Sequence, residues 1–290
     1  MSNPDQIQRI MFDELDIRGV VSGLQKTCHD CFENHDYPTA IKKVLGEMLA
    51  AVSLLSSNLK FEGRLILQAQ GQGNVRLLMA ESNQDRDVRA IARFDGEIPA
   101  DASFSDLLPE GQVVLTIEPD KGNRYQGVVP LDGKTLAKCL ENYFISSEQL
   151  PTQVHLASDG EAAAGMLLQV LPAEGTGEED WDRISHLAST LKSSELLELG
   201  NETLLYRLFH EEQCRLYEPD DVQFKCTCSR ERSLASLKLV EKAELLDVIA
   251  ESGMVNVNCQ FCNAHYGFDL TDIEALFSDA TSATGSKNVH

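Results

Sequence analysis

Apolar residues recur every three or four positions from Thr39 to Ser57, at Ile41, Val44, Leu45, Met48, Leu49, Val52 and Leu55. This spacing predicts an amphipathic helix with Thr39, just after Pro38, as its N-cap. The pattern then changes. Leu65–Ala69, Val75–Met79, Val88–Phe94, Val113–Ile117 and Tyr125–Val129 are short runs of strand-forming residues, divided by turn signals at Gly71–Gly73, Asp95-Gly96 and Lys121-Gly122-Asn123. A second helix is predicted over Thr135–Ile145, burying Leu136, Cys139, Leu140, Tyr143 and Phe144. Strands at Val154–Ala157 and Met166–Leu171 flank the turn at Asp159-Gly160. Strands joined mostly by short turns, with helices set among them, predict an α+β fold rather than a doubly wound parallel sheet. No repeat of 20 to 50 residues is visible, so a solenoid is not expected.

After Pro172 the character shifts. From Glu174 to Asp221 there are 13 acidic and 4 basic residues, a net charge of −9 over 48 residues. Helical spacing persists at Ile184, Leu187 and Leu191, at Leu196 and Leu197, and at Leu204, Leu205 and Leu208. Each stripe is short, and such helices hold only while something covers the stripe. The chain thus divides into 1–173, an acidic helical linker at 174–221, and a small module at 222–290. In that module Glu241–Ser252 reads as a helix closed by Gly253, and Val255 and Val257 as a strand running into Cys259. Thr271 to Glu274 has capping-box spacing ahead of Ala275, Leu276 and Phe277, and the polar tail Ser278–His290 is expected to fray.

Composition narrows the function. Apolar residues make up 42% of the 290, enough for a real core. Acidic residues outnumber basic ones 46 to 25, a formal charge of −21. A duplex nucleic-acid binder draws its affinity from Lys and Arg on phosphates, so neither nucleic acid nor an anionic membrane is an expected partner. No apolar run approaches a membrane span, and Met1–Arg9 lacks the basic and apolar regions of a signal peptide. The expected location is therefore the cytoplasm, where structural disulfides are rare and the eight cysteines need another explanation.

Four of them supply it. Cys226-Thr227-Cys228 and Cys259-Gln260-Phe261-Cys262 are two close pairs thirty residues apart. Four thiolates so arranged can surround one zinc ion tetrahedrally, with Zn–S distances of about 2.3 Å. A module of this size has a small core and gains from a metal staple. A permanently closed zinc ribbon would use the same ligands. However, the first pair is Cys-x-Cys, closer than the usual ligand spacing, and local pairing of its sulfurs is geometrically within reach. Lys225, Arg230 and Arg232 are positioned in sequence to offset the thiolate charge and so favour the oxidisable form.

With these residues in view, the sequence resembles the heat-shock protein 33 family of redox-regulated holdase chaperones. The resemblance rests on Phe224-Lys225-Cys226-Thr227-Cys228-Ser229-Arg230-Glu231-Arg232 and on Cys259-x2-Cys262 followed by Tyr266 and Phe268. Upstream it rests on Asn34-His35-Asp36-Tyr37-Pro38, Arg124 to Val129, Tyr143-Phe144-x3-Glu148-Gln149-Leu150-Pro151-Thr152 and Met166 to Val170. It implies a client-binding domain at 1–173, a metastable linker at 174–221 and a zinc switch at 222–290. It also implies capture of unfolding proteins without ATP under oxidative stress, and a homodimer in the oxidised form. Of three possible connectivities, Cys226–Cys228 with Cys259–Cys262 is the expected one, since each disulfide closes a short loop. Two disulfides would release the zinc, unfold the module and deprive the linker, docked against or beside it, of its partner. Ala164 departs from the family pattern, standing where the first glycine of a pair is expected before Met166.

The other candidates are weaker. Cys28-His29-Asp30-Cys31 lies in a predicted helical stretch, Gly23–Glu33, and fits packed thiols better than a thioredoxin-type pair or half of a second zinc site. Cys139 sits on the apolar stripe of its helix and Cys214 has no partner nearby. His265 could replace a cysteine ligand. No phosphate-binding loop or Ser/His/Asp context is present, so no enzyme is expected. A thiol–disulfide oxidoreductase and a zinc-ribbon adapter remain as the alternative classes.

Overall fold

The computed structural model describes residues 5–13, 15–57, 62–171 and 177–278. Its contacts form two units, Met1–Lys225 and Cys226–His290. The first contains strands β1 (Gln6–Phe12) and β2 (Ile17–Leu24), helices α1 (Lys26–Phe32) and α2 (Thr39–Ser56), then β3 (Gly63–Gln70), β4 (Val75–Asn83), β5 (Asp87–Phe94), α3 (Phe104–Leu107), β6 (Gln112–Pro119), β7 (Tyr125–Pro130) and α4 (Leu136–Tyr143). A π-helical turn, Phe144–Glu148, leads to β8 (Thr152–Ser158) and β9 (Ala163–Val170). The acidic segment follows as α5 (Glu178–Ser189), α6 (Ser193–Glu198), α7 (Asn201–Phe209), β10 (Cys214–Leu216), β11 (Asp220–Asp221) and β12 (Gln223–Phe224).

Two six-stranded sheets result. The first runs β10-β1-β2-β9-β8, with β11 also on β1; the second runs β12-β5-β4-β3-β6-β7. Every pairing in them is antiparallel except β12 with β5. The architecture is the predicted α+β class. Helix α2 packs on strands of both sheets, and 14 of its 18 residues are buried. The predicted amphipathic helix is thus buried well beyond its apolar stripe, leaving only Thr39, Lys42, Lys43 and Glu47 partly or fully exposed, and at Gly46 a Cβ would collide with Ser158 Oγ.

The opposite face of the first sheet carries the acidic segment. Ile10, Phe12, Ile17, Val21, Met166 and Leu168 form one cluster with Ile184, Ala188, Leu196, Leu204, Leu205, Leu208 and Phe209. The stripe, for which the sequence pattern requires a cover without saying which, therefore has it within the first unit. Because both faces of β2 and β9 are covered, burial along them is nearly continuous, and the alternation that betrays a half-exposed strand is missing. This is why β2 escapes the sequence pattern, and because Gly23 and Leu24 belong to it the predicted helix from Gly23 begins only at Lys26. At Gly19 a Cβ would lie 2.6 Å from Ile10 Cγ1, so only glycine lets β2 sit this close. Ala164 is buried in the same cluster.

Two stretches quoted for the resemblance meet at the end of the second sheet. The hydroxyls of Tyr125 and Tyr143 lie 2.9 Å apart, and both donate to Glu148 Oε1, at 3.1 and 3.0 Å.

The second unit holds α8 (Arg230–Ser236), a 3-10 turn at Leu237–Leu239, α9 (Lys242–Ser252), the hairpin β13 (Val255–Asn258) and β14 (His265–Phe268), and α10 (Leu270–Ser278). Gly253 takes the left-handed conformation at φ +84° and its N–H donates to Ile249 O at 2.8 Å, as the C-cap reading requires. The cap of α10 falls two residues before the predicted one: Asp269 N donates to Asp272 Oδ2 at 3.1 Å and Asp272 N to Asp269 Oδ1 at 3.0 Å. An Asp at N3 does the work expected of Glu274. The core of this unit is six buried side chains: Leu237, Leu245, Val255, Phe268, Ile273 and Leu276. The tail at 279–290 lies outside the described residues.

Candidate metal centre

Cys226 and Cys228 sit on an extended stretch just before α8. Ser229 ends that stretch by capping the helix, its Oγ accepting from Arg232 N at 3.2 Å. Arg232 Nη1 turns back to donate to Thr227 O at 2.7 Å, fixing the peptide between the two cysteines. Cys259 and Cys262 stand on the turn between β13 and β14. Cys259 N donates to Ala264 O at 2.9 Å and Asn263 N to Cys259 O at 2.8 Å, with Asn263 at φ +56°. The first pair is thus held by side-chain bonds at a helix cap and the second by backbone bonds of a turn.

The four half-buried sulfurs converge within 4.8 Å of one another. Cys226 Sγ is 3.5 Å from Cys259 Sγ, and Cys228 Sγ is 3.4 Å from Cys262 Sγ. A tetrahedral site with Zn–S bonds of about 2.3 Å has sulfur–sulfur edges of about 3.8 Å. The span here brackets that edge, and the soft donor set suits zinc. Without a cation, four thiolates this close would repel one another strongly.

The sulfurs are not equivalent. Burial pushes the Cys228 thiol up, but hydrogen bonds from the Tyr266 hydroxyl, at 3.2 Å, and from the three neighbouring thiols outweigh it and bring it to about 7. Burial first of all pushes Cys226 and Cys262 up. Tyr266 is itself pushed up to about 12, chiefly by its bond to Cys228. Nothing in the spacing of Tyr266 from Cys262 marks it in sequence as a partner of the first cysteine pair.

Two of the three cations, Arg230 and Lys225, are engaged away from the sulfurs, while Arg232 stays on the peptide between Cys226 and Cys228. Arg230 pairs with Asp272 at 2.7 Å, donates to Gly267 O at 3.3 Å and lies over the Phe268 ring, so it ties α8 to β14 and α10. In the first unit, Lys225 pairs with Asp87 at 3.0 Å. Carboxylates on partner elements, invisible in the local sequence, claim both charges. His265 is also spoken for: its Nδ1 lies 2.8 Å from Asn258 Oδ1, outside the sulfur cluster.

Among the described residues one other group of ligand-type side chains comes together, His29, Asp30 and Glu33 on the outside of α1, where Lys26 pairs with Asp30. Cys28 and Cys31 point the other way into the core and join no such group. Cys139 is buried on α4, its Sγ 3.6 Å from Gly133 O, as its place on the stripe predicts. Cys214 is half-buried on β10 opposite Phe12, and burial pushes its thiol up to about 11.

Three comparisons bear on this arrangement. Residues 5–269 match the model of the family described as "Hsp33 protein". The chain is 47% identical to the 33 kDa chaperonin of Shewanella loihica, with 96% of this chain and 98% of that one covered. It is also 47% identical to the 33 kDa chaperonin of Pseudomonas aeruginosa, with both chains fully covered. Its fold is similar to the crystal structure of the 33 kDa chaperonin (heat shock protein 33 homolog) of Thermotoga maritima, with a TM-score of 0.85 and 25% identity over 96% of this chain and 99% of that one.

Proposed function

The chain belongs to the Hsp33 family, a family of chaperones and not of enzymes, and on that premise we propose that it is a redox-regulated holdase. In this reading it binds unfolding proteins without ATP under oxidative stress, in the cytoplasm, and prevents their aggregation. It is inactive while reduced, with one zinc ion held by Cys226, Cys228, Cys259 and Cys262. Residues 1–173 form the client-binding core, 174–221 the linker and 222–290 the switch.

The observation that carries the proposal is the convergence of these four sulfurs in a unit whose described residues include six buried apolar side chains. Bound zinc supplies the charge that keeps four thiolates together, a contribution of about 10–16 kcal/mol in small domains. Oxidation to Cys226–Cys228 and Cys259–Cys262 withdraws all four ligands. Domain stabilities are only about 5–15 kcal/mol, so a core this small does not stay folded without them. The linker is the second element. Helices α5 to α7 lie on an apolar sheet face, and their departure uncovers both that face and their own stripe. Opening would give a client apolar surface in two places, while the −21 charge keeps the opened chain, a homodimer in this proposal, in solution.

Aggregation suppression of a denatured client tests this. Zinc-loaded reduced protein should leave aggregation unchanged. Peroxide-oxidised, warmed protein should suppress it with no nucleotide present. Equal activity in both forms removes redox control; activity in neither removes the holdase.

A further inference from the structure

Cys28 and Cys31 have no part in the switch just described, yet they lie beside the last stretch of chain that leads to it. Residues 220–225 are held on the first unit from three sides. Val222 N donates to Asp5 O at 2.9 Å, Gln223 N to Arg86 O at 3.3 Å and Lys225 N to Val88 O at 3.2 Å. Asp87, buried at 7% exposure, accepts from Gln223 Nε2 at 2.8 Å and Lys225 Nζ at 3.0 Å. Arg86 donates to Asp220 at 2.6 Å.

Helix α1 leans on this strand. It lies against β12, and Thr27 Oγ1 donates to Val222 O at 3.3 Å. Cys28 and Cys31, at 0% and 1% exposure, share one apolar cluster with Val222, and Phe224 packs against it. The carboxylate of Asp5 accepts from the N–H groups of Gln25, Lys26 and Thr27, so the residue that caps α1 also holds Val222. Removing the strand takes away part of what covers and orders a seven-residue helix, and a helix that short is marginal without its packing. In the docked state burial pushes both thiols far up, which keeps them inert.

We propose that Cys28 and Cys31 are a second redox pair, sequestered by the Val222–Lys225 strand and oxidised to an intramolecular disulfide only after that strand has left α1. The geometry allows it, since residues three apart on a helix have Cα atoms about 5 Å apart, inside the range a disulfide spans. The oxidant is hydrogen peroxide. One thiolate attacks a peroxide oxygen, the O–O bond breaks, and hydroxide leaves behind a sulfenic acid. The second thiolate attacks that sulfur, an S–S bond forms, the S–O bond breaks and the oxygen leaves as hydroxide; the two hydroxides take up the two protons the thiols gave up. In sum, two thiols and one peroxide give one disulfide and two waters. Because the strand ends next to Cys226, this pair responds to the position of the linker rather than to oxidant alone. That ordering rests on the proposed switch; the gating by the strand does not.

The test uses the full chain. Peroxide-treated, warmed samples are quenched with iodoacetamide at intervals and mapped by peptide mass spectrometry, with hydrogen exchange of 184–209 followed in parallel. The Cys28–Cys31 disulfide should appear only with loss of linker protection, at least tenfold later than oxidation of Cys226, Cys228, Cys259 and Cys262. In a second arm, iodoacetamide labelling of Cys28 and Cys31 is measured in reduced, zinc-loaded Asp87→Asn and Lys225→Met. Each removes a charge-assisted bond from the strand, and labelling should rise about tenfold or more. Thiols that persist at 28 and 31 after the linker has lost protection overturn this proposal and leave the chaperone reading standing. A protected linker despite four oxidised cysteines overturns the chaperone reading, and the second arm then decides this one alone. Unchanged labelling in the variants shows that the strand is not the gate. Should Asp87→Asn fail to fold, labelling of Lys225→Met, a change at an exposed side chain, decides between these outcomes.

Discussion

Phe12 on β1 and Phe209 at the end of α7 meet edge to face, ring centroids 5.1 Å apart and planes at 90°, both almost fully buried. One ring belongs to the core sheet and the other to the acidic segment. The contact makes docking of that segment a matter of apolar packing, which mutation can weaken without touching a cysteine. Phe209→Ala should cost about 3–5 kcal/mol, drawn from the docking of α7. The same holds for Leu204→Asp with Leu205→Asp, at 0% and 4% exposure in the docked state. Either variant should suppress client aggregation with less oxidant, or none, while zinc stays bound. If both stay inactive when reduced yet capture clients normally once oxidised, undocking of this segment is not the gate.

Metal analysis checks the ligand set. The wild-type reduced chain should carry one zinc, and Cys226→Ser and Cys262→Ser should lose tight binding. Cys28→Ser and Cys31→Ser should keep the ion, because neither sulfur joins the cluster. Undiminished affinity in both ligand variants would remove the four-sulfur site.

How much of this is legible in the sequence follows from what local spacing can encode. The four cysteines announce themselves because two short ligand pairs leave few other readings. Helix α4 is legible from its three- and four-residue spacing, and strands β3 and β7 because one face of each is less buried and the pattern alternates. Strand β2 is not, since α2 covers one side and α5 to α7 cluster on the other. The cover of the acidic stripe is equally hidden: Leu204 and Leu208 call for an apolar partner, but nothing near them in sequence says that it is Phe12 and Met166. Arg230 and Lys225 mislead for the same reason. Each lies within two residues of a cysteine in sequence, while Asp272 and Asp87, 42 and 138 positions away, take their charge.

A pH dependence should reside in the first unit. Glu47 lies half-buried on α2, and burial pushes its carboxyl up to about 7 from an ordinary 4.5. A raised carboxyl favours the folded state below its unfolded value, and that contribution is lost as pH rises through the folded value. Stability of this unit should therefore fall between about pH 4.5 and 7, by on the order of 3 kcal/mol at most. Glu47→Gln should flatten this part of the profile and melt higher than wild type at pH 8. A wild-type melting curve that does not move over this window, or a Gln variant that tracks it, would show that water reaches the carboxylate freely.

Oxidation should dismantle the chain in a fixed order. Among its described residues the second unit has six buried apolar side chains and a metal-type cluster, whereas α2 alone buries 14 residues between two sheets. Loss of four ligands therefore removes most of what holds the former and nothing that holds the latter. The acidic helices sit between these extremes: they are packed, but by short stripes on exposed, strongly charged helices that would not persist alone. Hydrogen exchange on peroxide-treated protein should lose protection first from about Cys226 to Phe277, then from 184 to 209 together with 222 to 225, and keep it across Ile41–Leu55. Warming should shorten the second step more than the first, because undocking the helices exposes the larger apolar surface. Simultaneous loss along the whole chain would mean that oxidation unfolds the molecule globally, and a globally unfolded chain cannot serve as the holdase proposed here.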